Sequence, residues 1–214
     1  MSLVALDKEM RFPPPEMADA DGLLAMGGDL SRQRLLLAYQ SGIFPWYENK
    51  HILWWCPDPR FVLFPGELKI SSSMKQLLKK SPFEFSIDSD FKSVISQCRS
   101  ISRRGQAGTW ITAEMFNAYT DLHHAGYAHS AEVRFQGELV GGLYGVRLGK
   151  IFFGESMFSR HSNASKYAFI KYVEHLKAEG VELIDCQVYT AHLETLGARM
   201  IPRSTFLPLV KNLL

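Results

Sequence analysis

Apolar residues recur along this chain with two different periods, and the change of period marks out its elements. In "DFKSVISQCRS", Phe91, Val94, Ile95 and Cys98 fall at i, i+3, i+4 and i+7, the spacing of one helical face. "ITAEMFNAYTDLHHAG" repeats that period, with Thr112 placed to cap its start and Gly126 to close its end. "ISSSMKQLLKK" predicts a shorter helix capped by Ser72 or Ser73. "NASKYAFIKYVEHLKAEG" predicts a long one, capped by Asn163 and ended by Gly180. Between these helices the period drops to two. "HSAEVRF", "ELVGGLYGVRL" and "KIFFGESMF" predict three strands joined by turns at Gln136–Gly137 and Leu148–Gly149, an antiparallel meander. Gly141, Gly142 and Gly145 in its middle strand predict a bulge or a close backbone approach. "RFVLF" and "ELIDCQV" predict two further strands.

The first 60 or so residues have a different texture. "FPPPEMADADGLLAMGGDLS" is rich in Pro, Gly and Asp, which favours turns over regular elements. Ser31 is placed to cap a short helix through Gln40, with Leu35, Leu36 and Tyr39 inward and Gly42 just past its end. "GIFPWYENKHILWWCPDPR" then crowds Trp46, Trp54 and Trp55 into a span broken by prolines. The expected fold class is α+β. A small N-terminal α+β domain occupies residues 1–60, and a larger domain, 61–214, carries a mixed, mainly antiparallel sheet flanked by helices.

Composition narrows the function classes. The 214 residues are 46% hydrophobic and 21% charged, which excludes global disorder. A net charge of +2 does not by itself point to nucleic acid, so such a claim rests on where the charges sit. Cys56, Cys98 and Cys186 are widely spaced and form no C-x-x-C pair, against a disulfide framework or structural zinc and in favour of a reducing compartment. The N-terminus lacks the basic start and apolar run of a signal peptide, and no apolar stretch approaches the roughly 20 residues that span a bilayer. The expectation is a cytoplasmic protein off the membrane. With no exposed heptad, a monomer is expected.

Two acids stand inside apolar strands. In "ELIDCQV", strict alternation puts Asp185 and Gln187 on one face, about 7 Å apart, in a strand apolar on both sides. A buried carboxylate is costly unless paired, hydrogen-bonded or protonated. Asp185 is therefore either a satisfied structural group or one held for chemistry. Glu155 in "FFGESMFS" is a second such acid, and if the strands are neighbours Glu155, Asp185 and Gln187 meet at one cleft. Two carboxylates without a His at ligand spacing argue against a metal, and His123–His124 near a helix end are ordinary solvated or capping histidines.

Phe169, Tyr172 and Leu176 form one helical stripe. Core packing explains most such stripes; the sharper option is a pocket wall shared with Leu143, Met157 and Ile184 for a medium-sized apolar side chain. Lys75, Lys79 and Lys80 on one helix, and Arg99, Arg103 and Arg104 ahead of Trp110, are either solvated faces or a phosphate-tracking surface with an aromatic for base stacking.

Taken together, "GLLAMGGDLS", "LLAYQSGIFPWY", "ILWWCPDPRFVLFP", "GTWIT", "LVGGLYGV", "FFGESMFSR", "NASK" and "LIDCQV…HLETLGA" resemble the bacterial leucyl/phenylalanyl-tRNA–protein transferases, from about residue 12 to residue 205. The resemblance implies an acetyltransferase-like (GNAT) larger domain and transfer of Leu or Phe, Met less well, from aminoacyl-tRNA. The acceptor is a protein N-terminus bearing Arg or Lys, and the new peptide bond marks that protein for degradation by the N-end rule. It implies no cofactor, in keeping with the lack of a Gly-rich pyrophosphate loop. It assigns catalysis to Asp185, Gln187 and Glu155 and the terminal adenosine to Trp46 and Trp110. The amino-acid pocket falls on Leu143, Phe152, Met157, Phe169, Tyr172, Leu176 and Ile184, and the tRNA acceptor end on Lys75, Lys79 and Lys80.

Two mechanisms stay open at this point. In one, Gln187 orients the amine, Asp185 supports proton removal directly or through Gln187, and Glu155 holds the donor's ammonium or tunes Asp185. In the other, the acids recognise the cationic acceptor while a tRNA hydroxyl carries the proton. The rival classes are an acyl-CoA-dependent acetyltransferase and a non-catalytic RNA-binding module.

Overall fold

The computed structural model describes residues 3–47, 51–101 and 111–214. Arg103, Arg104 and Trp110 lie outside the described residues. A four-stranded sheet comes first, in the order β1 (Val4–Leu6), β2 (Leu23–Gly27), β4 (Leu53–Trp55), β3 (Phe44–Pro45). The helix α1 (Arg32–Gln40) packs beside β3. β2 lies inside the Pro/Gly/Asp-rich stretch for which turns were expected. Its apolar Leu24 and Ala25 are buried against the rest of the fold, and that tertiary burial outweighs local propensity.

A seven-stranded sheet follows, in the order β11-β5-β10-β9-β8-β7-β6. Its strands are β5 (Arg60–Leu63), β6 (Glu84–Ile87), β7 (Ala128–Phe135), β8 (Glu138–Leu148), β9 (Ile151–Ser159), β10 (Leu183–Gln187) and β11 (Arg199–Ile201). The predicted meander is β7–β8–β9, with its second turn one residue later than expected, at Gly149 and Lys150. β9 and β10 run parallel, whereas the other described pairs of this sheet are antiparallel. The sheet is thus mixed and mainly antiparallel, as the sequence predicts. The short strands β6 and β11 were not anticipated.

Alternation along the strands divides the core by face. Tyr144, Phe153 and Leu183 pack with α3 (Phe91–Ser100) and α4 (Ala113–His124), in a cluster that continues into α1 through Tyr39 and into the first sheet through Trp54. Leu143, Phe152 and Ile184 pack on the opposite face with α5 (Ala164–Ala178). α3 buries the Phe91, Val94, Ile95 and Cys98 stripe, each large apolar side chain worth about 1.5–3 kcal/mol on full burial.

Helix starts follow side-chain chemistry with two differences. Ser31, Asp90 and Thr112 accept from the backbone N–H three residues on. For α2 (Ser72–Lys80), Ser71 performs that role rather than Ser72 or Ser73. Asn163 precedes α5 in a left-handed conformation, φ 64°, and its side chain makes no capping bond. α6 (Ala191–Glu194) and α7 (Arg203–Leu213) complete the chain's helices among the described residues. Gly145 meets its expectation of a close approach: an added Cβ would lie 2.2 Å from the Phe153 carbonyl oxygen, at a register shift between β8 and β9.

Candidate active site

The parallel pairing of β9 and β10 is short. It joins Leu183 to Ile151, Ile184 to Phe152 and Asp185 to Phe153, and stops there. Past that point Gly154–Ser159 of β9 and Cys186–Val188 border a cavity of about 510 Å³. Leu143, Phe152, Met157, Phe169 and Ile184 line it with apolar surface, and Glu155, Gln187, Thr190 and His192 add polar groups. A drug-sized or amino-acid-sized ligand fits that volume and that ratio of apolar to polar wall.

Asp185 and Gln187 do not share a face, which corrects the strict-alternation expectation. The register against β5 shifts between them, opposite Val62 and Phe61, and Gln187 takes φ 64°. That left-handed residue costs roughly 1–2 kcal/mol and breaks the period of two. Gln187 is thereby turned toward the cavity that Ile184 and Cys186 also line, while Asp185 is directed away from it.

Asp185 is buried with Arg60, and both side chains have no solvent exposure. The Arg60 Nε and Nη2 donate to the Asp185 oxygens at 2.8 and 2.6 Å. The guanidinium is also stacked between the rings of Phe44 and Phe206, 4.6 Å from each centroid. Burial would lower the Arg60 pKa, but the adjacent Asp185 side chain more than offsets this and raises it, so the guanidinium keeps its charge. Asp185 Oδ1 also accepts from the Gln187 backbone N–H at 2.9 Å, which fixes the bulge.

Glu155 is the ionisable centre of the cavity. Its Oε1 accepts from the Tyr39 hydroxyl and from Gln187 Nε2, both at 2.8 Å, and its Oε2 accepts from the Tyr119 hydroxyl at 2.8 Å. The two tyrosine hydroxyls also contact one another. Burial pushes the carboxyl up to about 7; the Tyr39, Tyr119 and Gln187 donors oppose the rise, and Asp185 adds to it. Burial and the Glu155 charge raise both tyrosines well above their ordinary value, so they act as donors and not as phenolates. His192 Nε2 is buried without a hydrogen-bond partner in the described structure. Burial, with Lys166 nearby, lowers its pKa and keeps the imidazole neutral.

The other anticipated residues sort by position. Tyr172 and Leu176 do not line the cavity; they are buried behind it, Tyr172 edge-on to Phe152 with centroids 5.1 Å apart. The helical stripe is thus wall at Phe169 and support beyond it. Trp46 is 37% exposed, lies outside the cavity lining and packs 5.6 Å from Trp55. Lys75, Lys79 and Lys80 are exposed on α2, and Arg99 is exposed in the last turn of α3. Arg60, Tyr39, Tyr119 and His192 were not anticipated as site residues. The available signals were an arginine opening an apolar strand in "RFVLF" and tyrosine hydroxyls on buried helix stripes. Among the described residues no cluster of three or more His, Cys, Asp or Glu is arranged to hold a metal, and no helix is long and apolar enough to cross a membrane.

The α+β fold thus holds a cleft between two parting strands, with Glu155 half-buried and Gln187 buried inside it. A family profile described as leucyl/phenylalanyl-tRNA protein transferase matches residues 62–211, and one for the N-terminal domain of the same family matches residues 28–58. The protein of that name from Syntrophus aciditrophicus is 57% identical over 99% of this chain and 89% of its own length. The protein of that name from Flavobacterium johnsoniae is 55% identical over 97% and 98%. Among solved structures, a GCN5-related N-acetyltransferase from Kribbella flavida overlaps at a TM-score of 0.38 with 10% identity, covering 78% of this chain and 59% of that one. The chain belongs to the leucyl/phenylalanyl-tRNA–protein transferase family.

Proposed function

We propose that this chain transfers Leu or Phe, and Met less well, from aminoacyl-tRNA to the N-terminal Arg or Lys of a protein, with the cavity between β9 and β10 as the reaction site. One observation carries the assignment of the site: Glu155, held by Gln187 and two tyrosines, lies beside an apolar wall of Leu143, Phe152, Met157, Phe169 and Ile184. Residues 1–60 act as a small domain that contributes Tyr39, and 61–214 supply the rest. The protein works in the cytoplasm as a monomer.

The donor is an ester and already activated, so the remaining work is placement and proton transfer. Seating both substrates is worth roughly 7–11 kcal/mol of the barrier. The acceptor ammonium gives its proton to the Glu155 carboxylate, and its nitrogen attacks the ester carbonyl carbon. The bond from that carbon to the ribose oxygen then breaks, the oxygen leaves with the proton held by Glu155, and the nitrogen's second proton passes to the regenerated Glu155 carboxylate and on to solvent. Gln187 donates to Glu155 through Nε2, which leaves its Oε1 as an acceptor for an incoming N–H. Asp185 acts from behind, fixing the Gln187 backbone while Arg60 neutralises it. Neither of the two mechanisms left open by the sequence makes Glu155 the base; this reading does, in place of Asp185 or a tRNA hydroxyl.

Trp46 and Trp110 stack the terminal adenosine, and Lys75, Lys79, Lys80, Arg99, Arg103 and Arg104 track the acceptor-stem phosphates. The product carries a new N-terminal Leu or Phe that marks it for degradation. The test is transfer of labelled phenylalanine from Phe-tRNA to peptides beginning with Arg, Lys or Ala. Label on the first two and not the third is expected. No label on any peptide, or stabilisation by acetyl-CoA with acetyl transfer, would sink the assignment.

A further inference from the structure

Glu155, Tyr39 and Tyr119 make three mutual contacts through their oxygens. The tyrosines bring two hydroxyl protons. When Glu155 is a carboxylate, both hydroxyls point at it and the Tyr39–Tyr119 contact holds no proton. When Glu155 is an acid, its own proton completes a closed ring of three hydrogen bonds. Gln187 donates to Oε1 in either case. The hydroxyls therefore serve both protonation states of one carboxyl without any rearrangement of the wall.

We propose that Tyr39 and Tyr119 are positioning residues for the transfer reaction: their hydroxyls hold the Glu155 carboxyl at the cavity and set the pH at which it becomes a base. The proposal rests on the assignment of Glu155 to the reaction site made above. Tyr39 comes from α1 in the N-terminal part of the chain and Tyr119 from α4, so one carboxyl on β9 is held by elements from both sheets' surroundings. The ionisable groups that act on this network are Tyr39 on α1, Tyr119 on α4, Tyr144 on β8, Asp185 on β10 and Arg60 on β5. Asp185 raises the carboxyl's pKa, and its bond to Arg60 limits that influence. Because a hydrogen bond to a carboxylate is roughly twice as strong as one between neutral groups, losing a hydroxyl hurts the charged form more. Each Tyr→Phe change must then move the ionisation of Glu155 to higher pH.

The test has two readouts. Infrared spectra of the free protein follow the carbonyl stretch of a protonated carboxylic acid across neutral pH, assigned to this residue by its loss in Glu155→Gln. The band should vanish near pH 7 in the wild type and about one pH unit higher in Tyr39→Phe and in Tyr119→Phe. The rising limb of the single-turnover transfer rate should move by the same amount, a change that mere loosening of the fold would not give. If one variant fails to fold by thermal melt, the other carries the test. Midpoints unmoved, or moved downward, in the folded variants overturn the proposal. A shifted band with an unshifted rate limb upholds the tuning and removes Glu155 from the proton-transfer step, which separates the two assignments.

Discussion

Arg60 grips Asp185 through two hydrogen bonds, of 2.8 and 2.6 Å, and neither side chain reaches solvent. On the proposed reading an acid so enclosed is a fixture of the site, and the working base is Glu155. Removing one partner strands the other, so Asp185→Asn is expected to cost about 3–5 kcal/mol in urea unfolding. The double change Arg60→Met with Asp185→Leu removes both charges and is expected to recover most of that loss. It should not recover transfer, because the Gln187 N–H then lacks its acceptor. Full activity in the double variant would mean that Asp185 does not position Gln187.

Stability should depend on the charge of Glu155. Its folded pKa of about 7 lies above the ordinary 4.5, so between those values the folded state binds more protons than the unfolded one. The carboxyl therefore detracts from stability as pH rises through that window, by on the order of 3 kcal/mol at its upper end. Relative to wild type, Glu155→Gln should gain stability as pH rises and then level off above neutrality. Parallel pH–stability curves for the two proteins would count against a half-buried Glu155 that titrates with a raised pKa.

Met157 and Phe152 stand on the apolar wall, and Tyr172 braces Phe152 from behind. If the cavity seats the donor's amino acid as proposed, a β-branched side chain is bulky where the wall begins, and Leu is told from Ile there. Met157→Ala should weaken that discrimination by roughly 1–3 kcal/mol, the usual worth of a methylene or two in such a pocket. Competing Leu-tRNA and Ile-tRNA in one reaction measures it; an unchanged ratio removes Met157 from the specificity wall.

Gly145 has no room for a methyl group, since its Cβ would sit 2.2 Å from a backbone oxygen and 2.5 Å from the Phe152 ring. Gly145→Ala is expected to destabilise by about 1–3 kcal/mol and to raise KM for the donor, because the displaced ring is cavity wall. Denaturant unfolding and donor titration read the two effects separately.

Much of this was legible in the sequence, and the failures have physical causes. The 3.6 period at Phe91, Val94, Ile95 and Cys98 and the alternation of the meander survive folding because tertiary burial reinforces them. Glu155 and Gln187 stood out because polar groups in an apolar strand need partners. Those partners were hidden, since Tyr39 and Tyr119 look like ordinary members of buried stripes and their hydroxyls have no periodicity. The direction of Gln187 was hidden too, because only a backbone that forms one ion pair and one bulge turns it from its neighbour's face.

The most direct measurement is the pH dependence of single-turnover transfer from Phe-tRNA to a saturating Arg-terminated peptide, compared between wild type and Glu155→Gln. The wild-type rate should rise through about pH 7 as the carboxyl becomes a carboxylate, and the variant should be slower and lack that limb. A variant that kept the wild-type limb and rate would show that proton removal does not pass through Glu155, and would contradict the account.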